Sequence, residues 1–163
     1  MPSDPLDLLA ARVGARLKAR GLMLATAESC TGGWVAQAMT AIAGSSDWFE
    51  RGFVTYSDAA KQELLGVSAA TLAQYGAVSE QTAREMAAGA LARSRAQVAL
   101  AITGIAGPSG GSAQKPVGTV CFGWVRENSV ARAQTRLFGG NRESVRRQSV
   151  EFALLGVLES LEV

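Results

Sequence analysis

The chain is expected to fold as an α/β protein, a three-layer α/β/α sandwich around a mixed, about five-stranded sheet. Short apolar runs of strand length alternate with segments of helical period, which argues for helices packed on a sheet. The last two strand runs are separated only by Arg126-Glu-Asn-Ser, a hairpin-like break that makes the sheet mixed rather than purely parallel. Size agrees, since 163 residues with 48% hydrophobic content suit one domain over residues 1–163, with a full core and little room for a second.

Asp4-Pro5 reads as a helix N-cap and first position, followed by Leu6, Leu9, Val13 and Leu17 at helical spacing until Gly21. Leu22 to Ala27 is a short apolar strand. Gly32 to Ala43 then carries Trp34, Val35, Ala38, Met39 and Ile42 on a helical period. Phe53 to Tyr56 is the second strand candidate, ending on Tyr56. Ser57-Asp58 caps a brief helix that stops at Gly66, with Lys61 in its first turn or just past it. Ser68 and Ser79 cap two further helices, the longer reaching about Arg93, and Val98 to Thr103 forms the third strand.

A loop from Gly104 to Pro116, with four glycines and two prolines, separates that strand from Val117 to Val125. Loops this rich in glycine inside a compact domain are usually functional or mobile. Val130 to Phe138 is the fifth strand. Asn141 caps a terminal helix with Val145, Val150, Phe152, Leu154, Leu155 and Leu158 inside. Trp34, Trp48 and Phe49 suit either the core or an interface.

Composition removes whole classes of chemistry. The chain has no histidine, so Ser-His-Asp and Cys-His mechanisms and the usual zinc hydrolase and deaminase sites are absent. Sixteen Lys plus Arg against fourteen Asp plus Glu give +2, too balanced for nucleic acid or an anionic membrane as the main partner. Cys30 and Cys121 show no CxxC pattern and fit reduced thiols. No stretch approaches eighteen apolar residues, and Met1 to Asp7 lacks the pattern of a signal peptide. A soluble, cytoplasmic protein is expected.

Ala25-Thr-Ala-Glu-Ser-Cys-Thr-Gly-Gly33 is the most informative run, because it puts the Ser29 hydroxyl and the Cys30 thiol where a strand passes into a helix. Such a corner exposes a nucleophile and leaves the first N-H groups of the next helix facing any negative charge that develops beside it. Equally, Ser29 alone suits a helix cap, and Thr31-Gly32-Gly33 a tight turn. A serine nucleophile without histidine needs another base, and a buried neutral lysine is the available solution. Lys61 is the best placed of Lys18, Lys61 and Lys115. Moving a lysine from about 10.4 in water to roughly 7.5 asks for on the order of 4 kcal/mol from burial and neighbours. Asp58 would oppose that if it faced the same side.

Other candidates are open to two readings each. The Tyr56 hydroxyl can hold a Ser-Lys pair or donate to a leaving group, or be a rim tyrosine. Thr103 sits at the carboxyl end of a strand, where open α/β sheets bind ligands, or is an ordinary strand residue. Gly104 to Gly111 matches neither GxxxxGK[ST] nor GxGxxG but can wrap a ligand through backbone amides. Asn141-Arg142 joins a helix start to a guanidinium, a receptor for phosphate or carboxylate, with Arg146 on the same face. A solvated basic helix with a Glu143 to Arg147 pair is the alternative.

Ala27-Glu-Ser-Cys-Thr-Gly-Gly33, Tyr56-Ser57 with Lys61, Thr103-Gly-Ile-Ala-Gly-Pro108, Lys115-Pro-Val-Gly118 and Gly140-Asn-Arg-Glu143 together resemble the CinA carboxy-terminal domain family, the nicotinamide mononucleotide deamidases. The resemblance spans about Leu6 to Leu158, with the motifs in family order, and looks like the stand-alone form. It implies a three-layer fold with a mixed five-stranded sheet, and commonly a dimer. It also implies hydrolysis of nicotinamide mononucleotide to nicotinate mononucleotide and ammonia, with no metal or cofactor. By position, Ser29 would attack the amide carbon, Lys61 would take its proton and later protonate ammonia, and Tyr56 would orient the pair. N-H groups near Cys30, Thr31, Gly32 and Gly33 would hold the oxyanion. Residue chemistry adds Thr103, Gly104, Gly107 and their loop as pocket lining, and Arg142 as the phosphate ligand.

Three rivals remain. Cys30 is a second possible nucleophile at the same corner. A Ser-Ser-Lys amidase pattern is suggested by Gly44-Ser45-Ser46 but continues into Asp47-Trp48 instead of glycines. The non-catalytic alternative is a nucleotide- or partner-binding module linked to competence or DNA damage. The charge balance speaks against direct contact with DNA.

Overall fold

In the computed structural model, residues 4–162 are described. The first three residues of the Met1 to Asp7 stretch therefore lie outside the described residues. The order is α1 (Pro5–Ala19), β1 (Leu24–Glu28), α2 (Trp34–Thr40), a 3-10 turn (Ser45–Asp47), β2 (Phe49–Val54), α3 (Asp58–Leu65), α4 (Ala69–Tyr75), α5 (Glu80–Ala92), β3 (Val98–Gly104), β4 (Thr119–Arg126), β5 (Arg132–Leu137) and α6 (Arg142–Leu161). The sheet runs β2-β1-β3-β4-β5. β1 is parallel to both neighbours, whereas β3-β4 and β4-β5 are antiparallel. The expected mixed sheet is present.

The two faces of the sheet differ in side-chain size. Leu24, Val98, Leu100, Ile102, Phe122 and Trp124 pack with α1, α2 and α6, while Ala25, Ala27, Ala99 and Ala101 face α3 and α5. Strand side chains alternate with period two, so bulk on one face and alanine on the other lets α3 and α5 approach closely. The same alternation sorts the end of β1. Glu28 belongs with Leu24 on the α2 side, and Ser29 belongs with Ala25 and Ala27 on the α3 side.

The serine and asparagine caps fall where the sequence puts them. Asp4, Ser57, Ser68, Ser79 and Asn141 each accept a backbone N-H in the first turn of the following helix. Four expectations need correction. β2 covers Phe49–Val54 rather than Phe53 to Tyr56. It is an edge strand paired only with β1, so Glu50 and Arg51 remain partly or wholly exposed and interrupt the apolar signal. α2 begins at Trp34, because Gly32 and Gly33 take φ of +60° and +103° and form the turn instead. Leu155 is 45% exposed, not inside. Arg147 pairs with Asp4 and Glu151 instead of Glu143. Trp48 is buried, and Trp34 and Phe49 are partly buried against the same core.

Candidate active site

Ser29 leaves the end of β1 with its backbone still in the sheet, its N-H donating to Ile102 O at 3.0 Å. The chain then turns sharply, and the Gly32 N-H closes back on Ser29 O at 3.0 Å. Two charged side chains hold this turn. The Glu28 carboxylate, 1% exposed, accepts the Thr31 hydroxyl at 2.6 Å and the Val35 and Ala36 amides at 2.9 and 3.1 Å. From α6, Arg146 donates through Nε to Cys30 O at 3.0 Å and through Nη2 to Thr31 O at 3.1 Å.

Across the cleft, Ser57 caps α3 and places Lys61 one turn inside it. Lys61 is 1% exposed, and its Nζ is 3.0 Å from Ser29 Oγ. Nζ also donates to the carbonyls of Thr55 and Tyr56 at 3.0 and 3.2 Å. These acceptors belong to the first two of the three residues between β2 and α3, and the Thr55 N-H still donates to Glu28 O of β1 at 2.8 Å. As an ammonium, Lys61 would donate all three protons. As a neutral amine it keeps two on the carbonyls and turns its lone pair to the serine hydroxyl. Burial drives Lys61 below the usual lysine range, against the opposing pull of the nearby Asp58 carboxylate.

Tyr56 contributes through its main chain. Its side chain is 64% exposed, and its hydroxyl lies 3.5 Å from Arg142 Nη2 rather than on the Ser-Lys pair. Arg142 donates through Nη1 to Gly107 O at 2.7 Å and so ties the glycine-rich loop to the start of α6. Thr103 is buried and donates to Ala77 O at 2.8 Å. Cys30 is buried as well, which pushes its thiol up to about 12.

A cleft of about 220 Å³ gathers Ser29, Cys30, Tyr56, Lys61, Thr103, Gly104 and Arg142. Among the expected site residues, Thr31, Gly32, Gly33 and Gly107 do not line it, and they shape it from behind through the contacts above. Arg146, expected beside Arg142 as an anion ligand, instead grips the turn after Ser29. Ala106 of the glycine-rich loop and Asp58 also line the cleft, together with Ala77 and Val78, which were not expected there. Glu28 was not expected to matter either. A carboxylate inside an apolar strand run needs buried donors, and the free amides of the next helix are the nearest. Among the described residues, no cluster of three or more His, Cys, Asp or Glu side chains could hold a metal ion.

The profile of the CinA C-terminal domain matches residues 6–161. The chain belongs to the CinA C-terminal domain family. Within this family it is 56% identical over 154 residues to the nicotinamide-nucleotide amidohydrolase PncC of Enterobacter agglomerans, covering 94% of each chain. The PncC of Escherichia coli K12 is 54% identical over 154 residues, covering 94% of this chain and 93% of that one. Among solved structures, the competence/damage inducible protein CihA of Agrobacterium tumefaciens superposes with a TM-score of 0.94 at 48% identity, covering 100% of both chains. The CinA fold described above is thus shared with a crystallographic relative.

Proposed function

We propose that this CinA-family chain is a nicotinamide-nucleotide amidohydrolase, converting nicotinamide mononucleotide to nicotinate mononucleotide and ammonia through a Ser29-Lys61 pair. The observation that carries the mechanism is the 3.0 Å approach of a buried Lys61 Nζ to Ser29 Oγ, with two carbonyls taking the other amine protons. The names of the relatives supply the substrate.

Neutral Lys61 accepts the hydroxyl proton as Ser29 Oγ bonds to the carboxamide carbon. The resulting ammonium then returns that proton to the amide nitrogen, and ammonia leaves as the C-N bond breaks. Water attacks the acyl-serine with Lys61 again as base, releasing the carboxylate and restoring the hydroxyl. The tetrahedral oxyanion is held by amides of the Cys30–Gly33 turn. Gly32 is a poor candidate because its N-H already bonds Ser29 O. Among the described residues, the Cys30, Thr31 and Gly33 amides donate to no protein oxygen. Thr103 fixes the Ala77 edge of the pocket, and Arg142 at the cleft mouth takes the nucleotide phosphate. The buried thiol of Cys30 argues for serine as nucleophile. The assembly is a homodimer working in the cytoplasm, testable by the solution mass and by fractionation.

The deciding experiment is ammonia release from nicotinamide mononucleotide by chelator-treated protein, with Ser29→Ala, Lys61→Ala and Cys30→Ala alongside wild type. Activity lost only in the first two supports the proposal. Folded wild type that releases no ammonia would instead favour a binding module.

A further inference from the structure

We infer that Arg146 is a positioning residue for the reaction, holding the turn that carries Ser29 and Cys30 in register with the cleft from outside it. The inference rests on the deamidase reading above. Arg146 forks onto two successive carbonyls, Cys30 O at 3.0 Å and Thr31 O at 3.1 Å. In a trans peptide the carbonyl and the following N-H point in opposite directions. Pinning Cys30 O toward α6 therefore turns the Thr31 N-H away from α6, and pinning Thr31 O does the same for the Gly32 N-H. The Gly32 N-H meets Ser29 O at 3.0 Å and closes the turn, while Thr31 itself is fully buried behind the cleft, so the fork acts on the backbone that supports Ser29 and Cys30.

Ser29 and Cys30 line the cleft and Arg146 does not, so the side opposite the guanidinium is the reacting side. The guanidinium also sits over the Trp34 ring, 5.5 Å from its centroid, which limits its swing. Its charge polarises both peptides and makes their N-H groups stronger donors. Lysine would not reproduce this, because a single ammonium does not present the planar fork that holds two carbonyls in register. Glu28 clamps the same turn from the sheet side through Thr31 Oγ1, so the peptide between Cys30 and Thr31 has little freedom to flip.

The test measures steady-state ammonia release by Arg146→Ala and Arg146→Lys, with Arg147→Ala as a neighbouring-arginine control and circular dichroism as the check on folding. A misplacement of about 1 Å at a reacting group costs about 100-fold in rate. Loosening the turn that carries Ser29 is expected to lower kcat about 30-fold in both Arg146 variants, with KM within about three-fold of wild type. Added guanidinium ion is expected to restore part of kcat to Arg146→Ala and none to Ser29→Ala. If Arg146→Ala does not fold, Arg146→Lys decides. A kcat within about three-fold of wild type in folded Arg146→Lys, or a loss confined to KM, overturns the inference while Ser29→Ala and Lys61→Ala still report on the deamidase reading. A wild type that releases no ammonia overturns both.

Discussion

The Glu28 carboxylate accepts the Thr31 hydroxyl at 2.6 Å, joining the last residue of β1 to the turn that follows Ser29. The same carboxylate takes two amides at the start of α2. Glu28→Ala would leave two buried donors and one half-buried donor without this acceptor and is expected to destabilise the fold by about 3 to 5 kcal/mol, on the basis of about 1.5 to 3 for each bond to a charged group and incomplete additivity. Glu28→Gln, which keeps one acceptor oxygen, is expected to lose less than half as much. Urea unfolding of the two variants checks the order.

Lys61 gives a pH signature. Its folded-state pKa lies below the unfolded value, because burial disfavours the ammonium. The penalty is present in full below the folded pKa and is relieved as pH rises between the folded and unfolded values, so this group makes the protein more stable with rising pH in that window. Activity rises as pH passes through the folded-state value, at the lower edge of that window, because the neutral base appears there. A pH profile of kcat/KM should show a rising limb below the ordinary lysine range. In Lys61→Met, activity should vanish and the alkaline rise in stability should flatten.

Cys30 should be chemically quiet despite sitting beside Ser29. With its thiol pushed up to about 12, almost none is thiolate near neutrality. Iodoacetamide at neutral pH is expected to leave native Cys30 unmodified, as read by mass spectrometry, and Cys30→Ala to retain most of the turnover. Rapid labelling with loss of activity would contradict this.

Thr26 and Thr55 each bury a hydroxyl that finds no partner among the described residues. Replacement by the near-isosteric valine removes an uncompensated polar group, worth about 1 to 3 kcal/mol when buried in proteins. Thr55→Val and Thr26→Val are therefore expected to raise stability by about 1 kcal/mol each. Turnover should be kept in Thr55→Val, because that residue serves Lys61 through its carbonyl. Thermal unfolding together with ammonia release separates the two effects.

The starts of α1, α3, α4, α5 and α6 were legible because a capping side chain is a residue-type signal, which Asp4, Ser57, Ser68, Ser79 and Asn141 carry and Gly33 before α2 does not. β2 was misplaced because an edge strand tolerates Glu50 and Arg51, which break the apolar run. The Ser29-Lys61 meeting spans 32 residues and follows from no local pattern. The missing histidine narrowed the choice of base, and the family resemblance supplied the pairing. Tyr56 was expected to act through its phenol. Its carbonyl does the holding, and a carbonyl is common to every residue, so no letter of the sequence announces it. Arg142 and Arg146 share a helical face, yet one reaches the Gly107 loop and the other the Cys30 turn. Spacing predicts the face but not the neighbour.

In a Ser-His-Asp enzyme a third side chain orients the base, and a single substitution deletes it. Here Thr55 O and Tyr56 O hold Lys61, so in the proposed Ser29-Lys61 pair the steering of the base is written into the path of the polypeptide. Drift at positions 55 and 56 leaves those oxygens in place, and only a change that bends the backbone removes them. The vulnerable points of the pair shrink to Ser29 and Lys61 themselves, which leaves the rim around Tyr56 open to adapt to different substrates at little risk to the chemistry beneath.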